Sequence, residues 1–470
     1  NEATKIDNTS TFASRLPLLI FTASTGAQPE WRSEALLSFF TESTVRCYDP
    51  EAQASSAAPG ALQLRRPSHG IRFIRWGKET MESRMCSAAA PAKAARVPSG
   101  GDCPSSCTVG APCDMKLARW CPSSREQLQE AEEKIFSYLN RKYTGRYVEV
   151  GRFGDAVSSC RLWTITMKPE SDEAVTQMPL VLIHGLGCGS ALWVMNIGEL
   201  SKNRVVHSLD LLGFGRSSRP SLGHDATSIE NEMVQSIEAW RQQMQLERFV
   251  LVGHSLGGFL SASYALRYPH RVAHLVLDDP WGFPVFDPRR SGGKRMGPWL
   301  APLQLYCNRF NVLSGLRASG LLGPFIMQAA LSGAHSLFGR VVTDPTAIPN
   351  YVYHCNVRRP TGEEAFRNLS VYFGWTKNPM VLRFLDLDPE VPVTFVYGKT
   401  TFITRSPAEH IKKTRINGYV DVQVFDNCGH NVHMDQPEKF NALVNKVCDL
   451  ANSGVKLGSA SYAADRPAEE

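Results

Sequence analysis

The chain has 470 residues, of which 43% are hydrophobic, and a formal net charge of +6 at pH 7. This composition supports a large soluble core, and the length allows two or three domains. The charge is mild and shows no stripe of Lys and Arg with interleaved aromatic residues, which argues against nucleic-acid binding. No apolar run approaches the length of a membrane span, and the run Leu16 to Phe21 is too short for a secretory signal. We therefore expect a soluble intracellular protein, with peripheral membrane attachment left open.

Both ends of the chain lack the periodicity of packed structure. Residues 1–115 are rich in Ser, Ala, Pro and Thr and are predicted to be low-complexity and disordered. Residues 453–470 form a polar tail with the same expectation. Five of the twelve cysteines lie between Cys86 and Cys121, but their spacing does not match a paired zinc pattern. We therefore predict free thiols of a reducing compartment and no metal site.

Residues 116–144 are predicted to contain a helix. Ser123 or Ser124 can cap it, and the helical pattern runs from Glu126 to Leu139. Trp120 stands just before it among basic residues. Two interpretations remain open for this side chain, contact with a lipid surface and packing on the core.

From residue 145 onward, apolar strands alternate with helical patterns, which indicates a mostly parallel sheet with helices on both faces. The stretch from Pro284 to Leu387 is too long for a loop and predicts a helical cap (284–387) inserted between the sixth and seventh strands. Such a cap would cover the carboxyl ends of the strands, where ligands bind in open α/β sheets. The core is then 145–283 plus 388–452. Its predicted strands are Tyr147 to Val150, Leu162 to Met167, Leu180 to Ile183, Val205 to Leu209, Phe249 to Val252, His274 to Leu277, Val393 to Tyr397 and Val420 to Phe425.

The fifth strand runs directly into the motif Gly253-His254-Ser255-Leu256-Gly257, after which a helical pattern begins. This context is that of a nucleophile elbow, in which a sharp, strained turn exposes the serine oxygen above the sheet. The flanking glycines are expected because neighbouring chains approach too closely for a Cβ. The motif predicts Ser255 as a nucleophile, and the alternative is an ordinary glycine-rich turn.

A second glycine motif, His184-Gly-Leu-Gly187, follows the third strand. In this architecture a backbone N–H of that loop joins the N–H after the nucleophile to bind an oxyanion. Leu186 and Leu256 are therefore the predicted backbone donors. A simple glycine turn is the alternative for this loop.

The general base is expected after the last strand, where Gly429 and His430 stand, because the chain order in this architecture is serine, acid, histidine. His430 is the predicted base, and His433, the second candidate, is favoured as a structural residue. Asp435, followed by Pro437 and Glu438, predicts a helix start with a capping box. The same aspartate closes a His-x4-Asp pattern, His430 to Asp435, that is associated with glycerolipid acyltransferases.

From about Trp120 to Asp449, the chain resembles the abhydrolase-domain-containing 4/5 subfamily of lipid enzymes and lipolysis co-activators. The cap segment Tyr351-Val-Tyr-His-Cys-Asn356 is highly specific to this subfamily, whereas the elbow is common to many hydrolases. The remaining matching segments are Asp210 to Pro220, Ser236 to Trp240, Gly253 to Phe259, Pro280 to Phe283, Gly362 to Phe366, Phe373 to Trp375 and Asp435 to Pro437.

The resemblance implies an α/β-hydrolase fold and a serine lipid hydrolase acting on N-acyl phospholipids and lysophospholipids. It also implies acyl transfer to lysophosphatidic acid, with no bound cofactor and with acyl-CoA as a co-substrate. The co-activator branch has Asn in place of the elbow serine and regulates a triglyceride lipase, so Ser255 points to the catalytic branch. A non-catalytic co-activator is the alternative function. The implied location is cytoplasmic and peripheral, on lipid droplets or the endoplasmic reticulum, with mitochondria as another possibility and with a lipase or droplet-coat protein as a partner.

One feature departs from the family pattern. The resemblance places the catalytic acid just after the seventh strand, but Tyr397 to Thr404 contains no carboxylate. Asp279 ends the neighbouring sixth strand and is the predicted acid, although an aspartate before Pro280 can also merely shape a turn. Glu409 is the alternative if its loop curls back. Other carboxylates precede the seventh strand and so lie at its wrong end: Asp386, Asp388 and Glu390.

Overall fold

The computed structural model of the protein places eight strands in one sheet, in the order β1-β2-β4-β3-β5-β6-β7-β8. β1 and β2 are antiparallel to each other, β2 is antiparallel to β4, and the other neighbouring pairs are parallel. The predicted fold class is therefore confirmed. The strands are β1 (Thr144–Gly151), β2 (Cys160–Met167), β3 (Leu180–Ile183), β4 (Val206–Leu209), β5 (Phe249–His254), β6 (Val272–Asp278), β7 (Val393–Gly398) and β8 (Val420–Phe425).

The structure describes residues 120–170, 177–286, 310–372 and 375–454. The predicted low-complexity segment 1–115 and nearly all of the predicted tail 453–470 lie outside the described residues. Within the described part of the chain, no helix combines the length and the apolarity needed to span a bilayer.

Helices cover the sheet on both faces, which explains why the central strands are apolar along their whole length. All residues of β3, β5 and β6 are buried, as expected for strands that have no solvent-facing side. The helices are α1 (Arg125–Phe136), α2 (Val194–Leu200), α3 (Ala226–Gln243), α4 (Leu256–Arg267), α5 (Ser314–Ala318), α6 (Gly323–Ala330), α7 (Ala334–Phe338), α8 (Ala347–Asn356), α9 (Thr361–Leu369), α10 (Ser406–Thr414), α11 (Val432–Asp435) and α12 (Pro437–Ser453).

Two hydrophobic clusters lie on opposite faces of the sheet. Trp240 of α3 and Phe259 of α4 belong to one cluster, and Ile135 of α1, Ile197 of α2 and Val444 of α12 belong to the other. Each of these side chains is inaccessible to water, and burying one such residue stabilises the fold by roughly 1.5–3 kcal/mol. The sheet is thus fixed on both sides, and this rigidity positions the loops at its carboxyl edge.

The helix α1 begins as predicted, because Ser124 is its N-cap and accepts a hydrogen bond from the Gln127 amide. It ends at Phe136, three residues before the predicted end. Its buried Glu132 binds Arg216 at 2.7 Å and the Trp163 indole at 2.9 Å, so the helix is joined to the core by polar contacts as well as by packing.

The predicted cap, 284–387, lies in the chain between β6 and β7, and the structure describes it apart from residues 287–309, 373 and 374. It contains α5 to α9 and also a short antiparallel pair of strands, Ser370–Tyr372 with Trp375–Thr376, which the prediction of a purely helical cap did not include. The subfamily-specific segment that begins at Tyr351 lies in α8, and its first Tyr is completely buried. The Asn356 side chain at the end of α8 donates to the Gly187 carbonyl at 2.8 Å. The cap is therefore bonded directly to the loop after β3.

Candidate active site

Ser255 lies at the tip of the turn between β5 and α4. Its backbone angles are φ 52° and ψ −116°, and a positive φ is strained for a residue with a Cβ. The turn can form because two neighbours are glycines: a Cβ on Gly253 would lie 2.5 Å from the Gly257 carbonyl oxygen, and a Cβ on Gly257 would lie 2.5 Å from the His184 carbonyl oxygen. The local geometry is that of a nucleophile elbow.

His430 approaches Ser255 from the loop that follows β8. Its Nε2 lies 3.0 Å from the Ser255 hydroxyl oxygen, which is within the reach required of a general base. Its Nδ1 is hydrogen-bonded to the carboxylate of Asp279. The structure therefore joins Ser255, His430 and Asp279 in one chain of hydrogen bonds, although the acid and the base lie 151 positions apart in sequence.

Asp279 directly follows β6 and is completely buried. Its φ is 43°, and its amide donates to the Val396 carbonyl of β7 at 2.8 Å, so the carboxylate is held at the edge between two adjacent parallel strands. Burial raises the pKa of Asp279 to about 6, while hydrogen bonds from His430 and Thr401 act in the opposite direction. The carboxylate is thus ionised at neutral pH and is able to orient the imidazole.

Thr401 was not among the residues selected from the sequence. Its hydroxyl donates to the same Asp279 oxygen that binds His430. The signal for it was present, since Thr401 occupies the loop after β7 where the subfamily pattern calls for the acid. In this chain that loop supplies a hydrogen-bond donor to the carboxylate instead of the carboxylate itself.

The other candidate acids lie elsewhere. Glu409, on the exposed side of α10, pairs with Arg405 at 2.8 Å. Asp388 begins the turn that leads into β7, at the opposite end of that strand from Asp279, and its side chain accepts from the Glu390 amide at 2.9 Å. The structure brings neither Glu409 nor this group of acids to His430.

The Asp435 side chain does not have the capping role that the sequence predicted. The N-cap of α12 is Gln436, with no side-chain cap, so the predicted capping box at Asp435 is wrong, whereas Pro437 does begin the helix. The Asp435 carboxylate instead accepts from the Gly429 amide at 2.7 Å, because the tight loop before His430 leaves that partly buried donor in need of an acceptor. Asp435 therefore acts on the backbone of the His430 loop, not on the imidazole ring.

His433, the second candidate base, is buried under the triad. Its Nδ1 is 2.6 Å from Asp278 and its ring packs on Trp193 with centroids 4.2 Å apart. In the described part of the chain, the ring is bonded to Asp278, and the structure does not bring it to Ser255. Among the described residues, the side-chain N and O atoms of His254, Asp278 and His433 lie within 4.8 Å of one another.

The two predicted oxyanion donors belong to two segments next to Ser255, the start of α4 and the loop after β3. Leu256 is the first residue of α4, so its amide belongs to the positive end of that helix. Leu186 lies in the loop after β3, where a Cβ on the preceding Gly185 would come within 3.1 Å of the Ser255 Cβ. The hydrogen bond from Asn356 to Gly187 fixes this loop from the cap side. The loop that carries Leu186 and the first turn of α4 therefore both lie next to Ser255.

Comparison with known proteins gives the family of the chain. Residues 178–437 match the family described as alpha/beta hydrolase fold. The chain is 39% identical over 327 residues to the human (lyso)-N-acylphosphatidylethanolamine lipase, covering 70% of this chain and 93% of that protein. It is 39% identical over 330 residues to 1-acylglycerol-3-phosphate O-acyltransferase ABHD5 of Sus scrofa, covering 70% of this chain and 92% of that protein.

Among solved structures, naproxen esterase from Bacillus subtilis aligns with a TM-score of 0.48 and 18% identity, over 69% of this chain and 98% of that chain. The family match and the two relatives at 39% identity establish the affiliation. The chain belongs to the α/β-hydrolase fold family and, within it, to the abhydrolase-domain-containing 4/5 subfamily.

Proposed function

We propose that the protein is a serine ester hydrolase acting on glycerophospholipids, in particular N-acyl phosphatidylethanolamines and their lyso forms. The observation that carries the proposal is the hydrogen-bonded series Ser255, His430 and Asp279. The substrate class is supported by the name of a relative at 39% identity, a (lyso)-N-acylphosphatidylethanolamine lipase. In this proposal Ser255 is the nucleophile, His430 the base and Asp279 the acid.

The geometry supports a two-step acyl transfer. His430 Nε2 takes the hydroxyl proton as Ser255 Oγ attacks the ester carbonyl, and the amides of Leu186 and Leu256 bind the resulting oxyanion. The tetrahedral intermediate collapses, the ester C–O bond breaks, and His430 returns the proton to the departing alcohol oxygen. Water then attacks the acyl-Ser255 ester with His430 again as base, which releases the fatty acid and restores the serine.

The same acyl-serine can be attacked by the hydroxyl of a lysophospholipid, which would make the protein an acyltransferase. This possibility follows from the relative named 1-acylglycerol-3-phosphate O-acyltransferase, with acyl-CoA as a thioester donor that acylates Ser255. Asp435 would contribute only by holding the Gly429 amide. Both activities therefore depend on Ser255, and they differ in the acyl donor and in the acceptor.

The test uses the full chain, a fluorophosphonate probe and defined lipids. We expect Ser255 to be labelled and N-acyl phosphatidylethanolamine to be hydrolysed, and Ser255→Ala to lose both with its melting temperature retained. The loss in turnover should be roughly 10⁶-fold, the scale measured for removal of the nucleophile in a serine protease. A Ser255→Ala protein that keeps its activity would refute the mechanism. A folded wild-type protein that shows neither labelling nor hydrolysis would favour the alternative, a non-catalytic lipid-droplet co-activator of a lipase.

We further propose that the protein binds its lipids at a membrane or droplet surface, through an apolar surface made by Trp120 and the start of α6. Trp120 and Phe325 are 67% and 74% exposed, and Leu321 and Leu322 are more than half exposed. A Cβ on Gly320 would lie 2.7 Å from the Trp120 ring, so the tryptophan is next to this group. Exposed apolar side chains gathered at one place indicate a binding surface, and a lipid interface suits an enzyme that takes its substrate from a bilayer.

A polar cavity of about 400 Å³ begins one residue beyond Trp120, at Cys121, and its lining includes Arg125, Glu126 and Arg358. Two arginines beside an apolar surface favour anionic lipid headgroups over neutral ones. We therefore propose a cytoplasmic protein that associates peripherally with the endoplasmic reticulum or lipid droplets.

Vesicle flotation tests this surface. Phe325→Ser should lower binding to phosphatidylcholine vesicles containing phosphatidylserine about tenfold, since it removes one side chain worth on the order of 1.5 kcal/mol at the interface. Ile416→Ser is the matched control, because Ile416 is also highly exposed but lies in the turn between α10 and β8. Equal losses for the two variants would refute a specific surface at α6, and unchanged hydrolysis of a soluble ester would show that the active site is intact.

A further inference from the structure

A second group of buried polar residues lies directly beneath the triad. Each member stands close in sequence to a triad residue: His254 precedes Ser255, Asp278 precedes Asp279, and His433 follows His430 by three positions. All three are at most 3% exposed. Burying three polar side chains costs free energy unless they are bonded to partners, so the arrangement calls for an explanation.

The contacts of this group converge on the loop that carries His430. His254 Nε2 donates to the His430 carbonyl at 3.0 Å, and the two rings lie 4.9 Å apart. His433 Nδ1 is bonded to Asp278 at 2.6 Å. The Asp278 carbonyl in turn accepts from the Ser255 amide at 3.0 Å. Asp278 thus touches both the nucleophile turn and the loop of the base.

Besides Asp278, other residues also contact His433. Its ring lies against Trp193 and 4.7 Å from the His254 ring, and its carbonyl accepts from Asn196 at 2.9 Å. The loop of His430 is therefore fixed on three sides: by Asp435 at the Gly429 amide, by His254 at the His430 carbonyl, and by Asp278 through His433.

The neighbouring residues Asp278 and Asp279 differ in their hydrogen-bond partners. Asp279 receives hydrogen bonds from His430 and Thr401. Asp278 has His433 as its side-chain partner, and its other carboxyl oxygen has no partner among the described residues. Both side chains are buried and one Asp278 oxygen has no partner among the described residues, so an ionised carboxylate would be costly here. Burial accordingly raises the pKa of Asp278 and lowers the pKa of His433. The uncharged pair is therefore favoured, with the Asp278 hydroxyl donating to His433 Nδ1.

We infer that His254, Asp278 and His433 are positioning residues, an uncharged network that holds His430 in line with Ser255 without taking part in proton transfer. The titratable groups that face the network are His430, Asp435, Asp279, His184 and Cys428. An uncharged network does not compete with Asp279 for the proton on His430 Nδ1. The inference rests on the proposed serine mechanism, but not on the identity of the lipid substrate.

The test compares three variants on one strand. Asp278→Asn keeps the shape and supplies an N–H donor to His433 Nδ1, as the protonated acid does. Asp278→Leu removes the bond at similar volume. His274→Leu is the matched control, because His274 is equally buried on β6 and binds Thr394 at 2.8 Å, but lies at the end of the strand remote from Ser255. A soluble p-nitrophenyl ester and a fluorophosphonate serve as substrates, so failure of the lipid proposal would not affect the result.

We expect Asp278→Leu to lower kcat and the labelling rate by about 30- to 100-fold with KM unchanged, since a misplacement of about 1 Å costs on that order. Asp278→Asn should stay within about threefold of the unsubstituted protein and keep the same pH midpoint, and His274→Leu should lose stability but not kcat. Equal kcat for Asp278→Leu and His274→Leu would overturn the inference. A loss in Asp278→Asn as large as in Asp278→Leu, with the pH midpoint lowered, would also overturn it, because it would show that Asp278 acts through negative charge.

Two further measurements keep the inference testable if Asp278→Leu does not fold. His433→Phe retains the ring against Trp193 but not the bond to Asp278, and it should show the same loss in kcat. Ring-nitrogen NMR of the unsubstituted protein should show His433 as a neutral imidazole protonated at Nε2 at pH 7. A doubly protonated His433 would contradict the uncharged network, and a His433→Phe protein with unchanged kcat would contradict the positioning role.

Discussion

The carboxyl edge of the sheet buries polar side chains, whereas the surface of the cap exposes apolar ones. At the sheet edge, polar groups such as Asp279 and His433 are buried and are bonded to specific partners. At the cap, Leu322 and Phe325 are apolar and open to water. Both arrangements cost free energy in an isolated protein, the first through desolvation and the second through apolar hydration. The comparison indicates that stability is given up at two places, and these are the places of the two proposed functions, chemistry at the edge and lipid contact at the cap.

Asp279 offers the strongest way to test the edge. Asp279→Asn should lower kcat about 10⁴-fold, the scale observed when the acid of a serine protease triad is neutralised, because the amide no longer fixes the His430 tautomer. Glu409→Gln should leave turnover unchanged, since Glu409 pairs with Arg405 on the exposed side of α10. Turnover of a soluble ester by the two variants shows which of the two residues is the acid. A large loss in Glu409→Gln with Asp279→Asn active would reverse the assignment.

The next largest effect is expected at Gly257, where the backbone of a neighbouring segment approaches closely. Gly257→Ala would place a Cβ 2.5 Å from the His184 carbonyl oxygen and 2.6 Å from that of Ile183, and neither backbone atom can move without disturbing β3. We expect destabilisation of about 3 kcal/mol, measured by urea unfolding, and a loss of turnover as α4 shifts away from the oxyanion position.

Gly198→Ala is the matched control for that substitution. Gly198 lies inside α2, where a Cβ would meet one leucine methyl at an ordinary 3.6 Å, so alanine should stabilise the helix by about 0.5–1 kcal/mol. If both substitutions change stability equally, the close approach at Gly257 is not what selects glycine there.

The titration of Asp279 links the edge to pH. Because burial raises its pKa to about 6, turnover should fall about tenfold for each pH unit below that value, as the carboxylate that orients His430 is protonated. The effect on stability has the opposite sign. A folded-state pKa above the unfolded one means that this group favours the folded state at low pH, and that this contribution is lost as pH rises from about 4 to about 6.

Paired measurements of pH dependence check both signs. The free energy of unfolding of Asp279→Asn should lack this pH dependence, whereas the unsubstituted protein should show it. Turnover that stays constant from pH 7 to pH 5 would contradict an acid with a raised pKa.

The edge also shows how far sequence alone reaches. Ser255 and His430 were predictable because each lies in a loop after a specific strand, and strand order is readable from apolar runs. Asp279 was predictable only from the missing carboxylate after β7, since adjacent parallel strands end side by side. The role of Asp435 was misassigned because a capping pattern does not reveal that a partly buried amide six positions earlier donates to the carboxylate. The pairing of Asp278 with His433 joins residues 155 positions apart, and no local pattern encodes it.

The smallest expected effect concerns Trp120 at the apolar surface. Two features of this residue can be separated by substitution, its hydrogen bond and its exposed ring. The Trp120 indole N–H donates to the Arg317 carbonyl at 3.0 Å, while its ring remains largely exposed. Trp120→Phe keeps an aromatic side chain and loses the hydrogen bond. At an exposed site this bond contributes about 0.5–1 kcal/mol, so the melting temperature should fall by only about 2–4 °C and vesicle binding should stay within twofold.

Trp120→Ala completes that comparison. It removes both the bond and the ring, so the melting temperature should match that of Trp120→Phe while vesicle binding falls about tenfold, because an aromatic residue at the interface is lost. Hydrolysis of a soluble ester should be the same in both variants, since neither touches the carboxyl edge of the sheet. If binding falls equally in Trp120→Phe and Trp120→Ala, the hydrogen bond to Arg317 matters by ordering the cap, and the apolar surface of Trp120 is not itself the lipid contact.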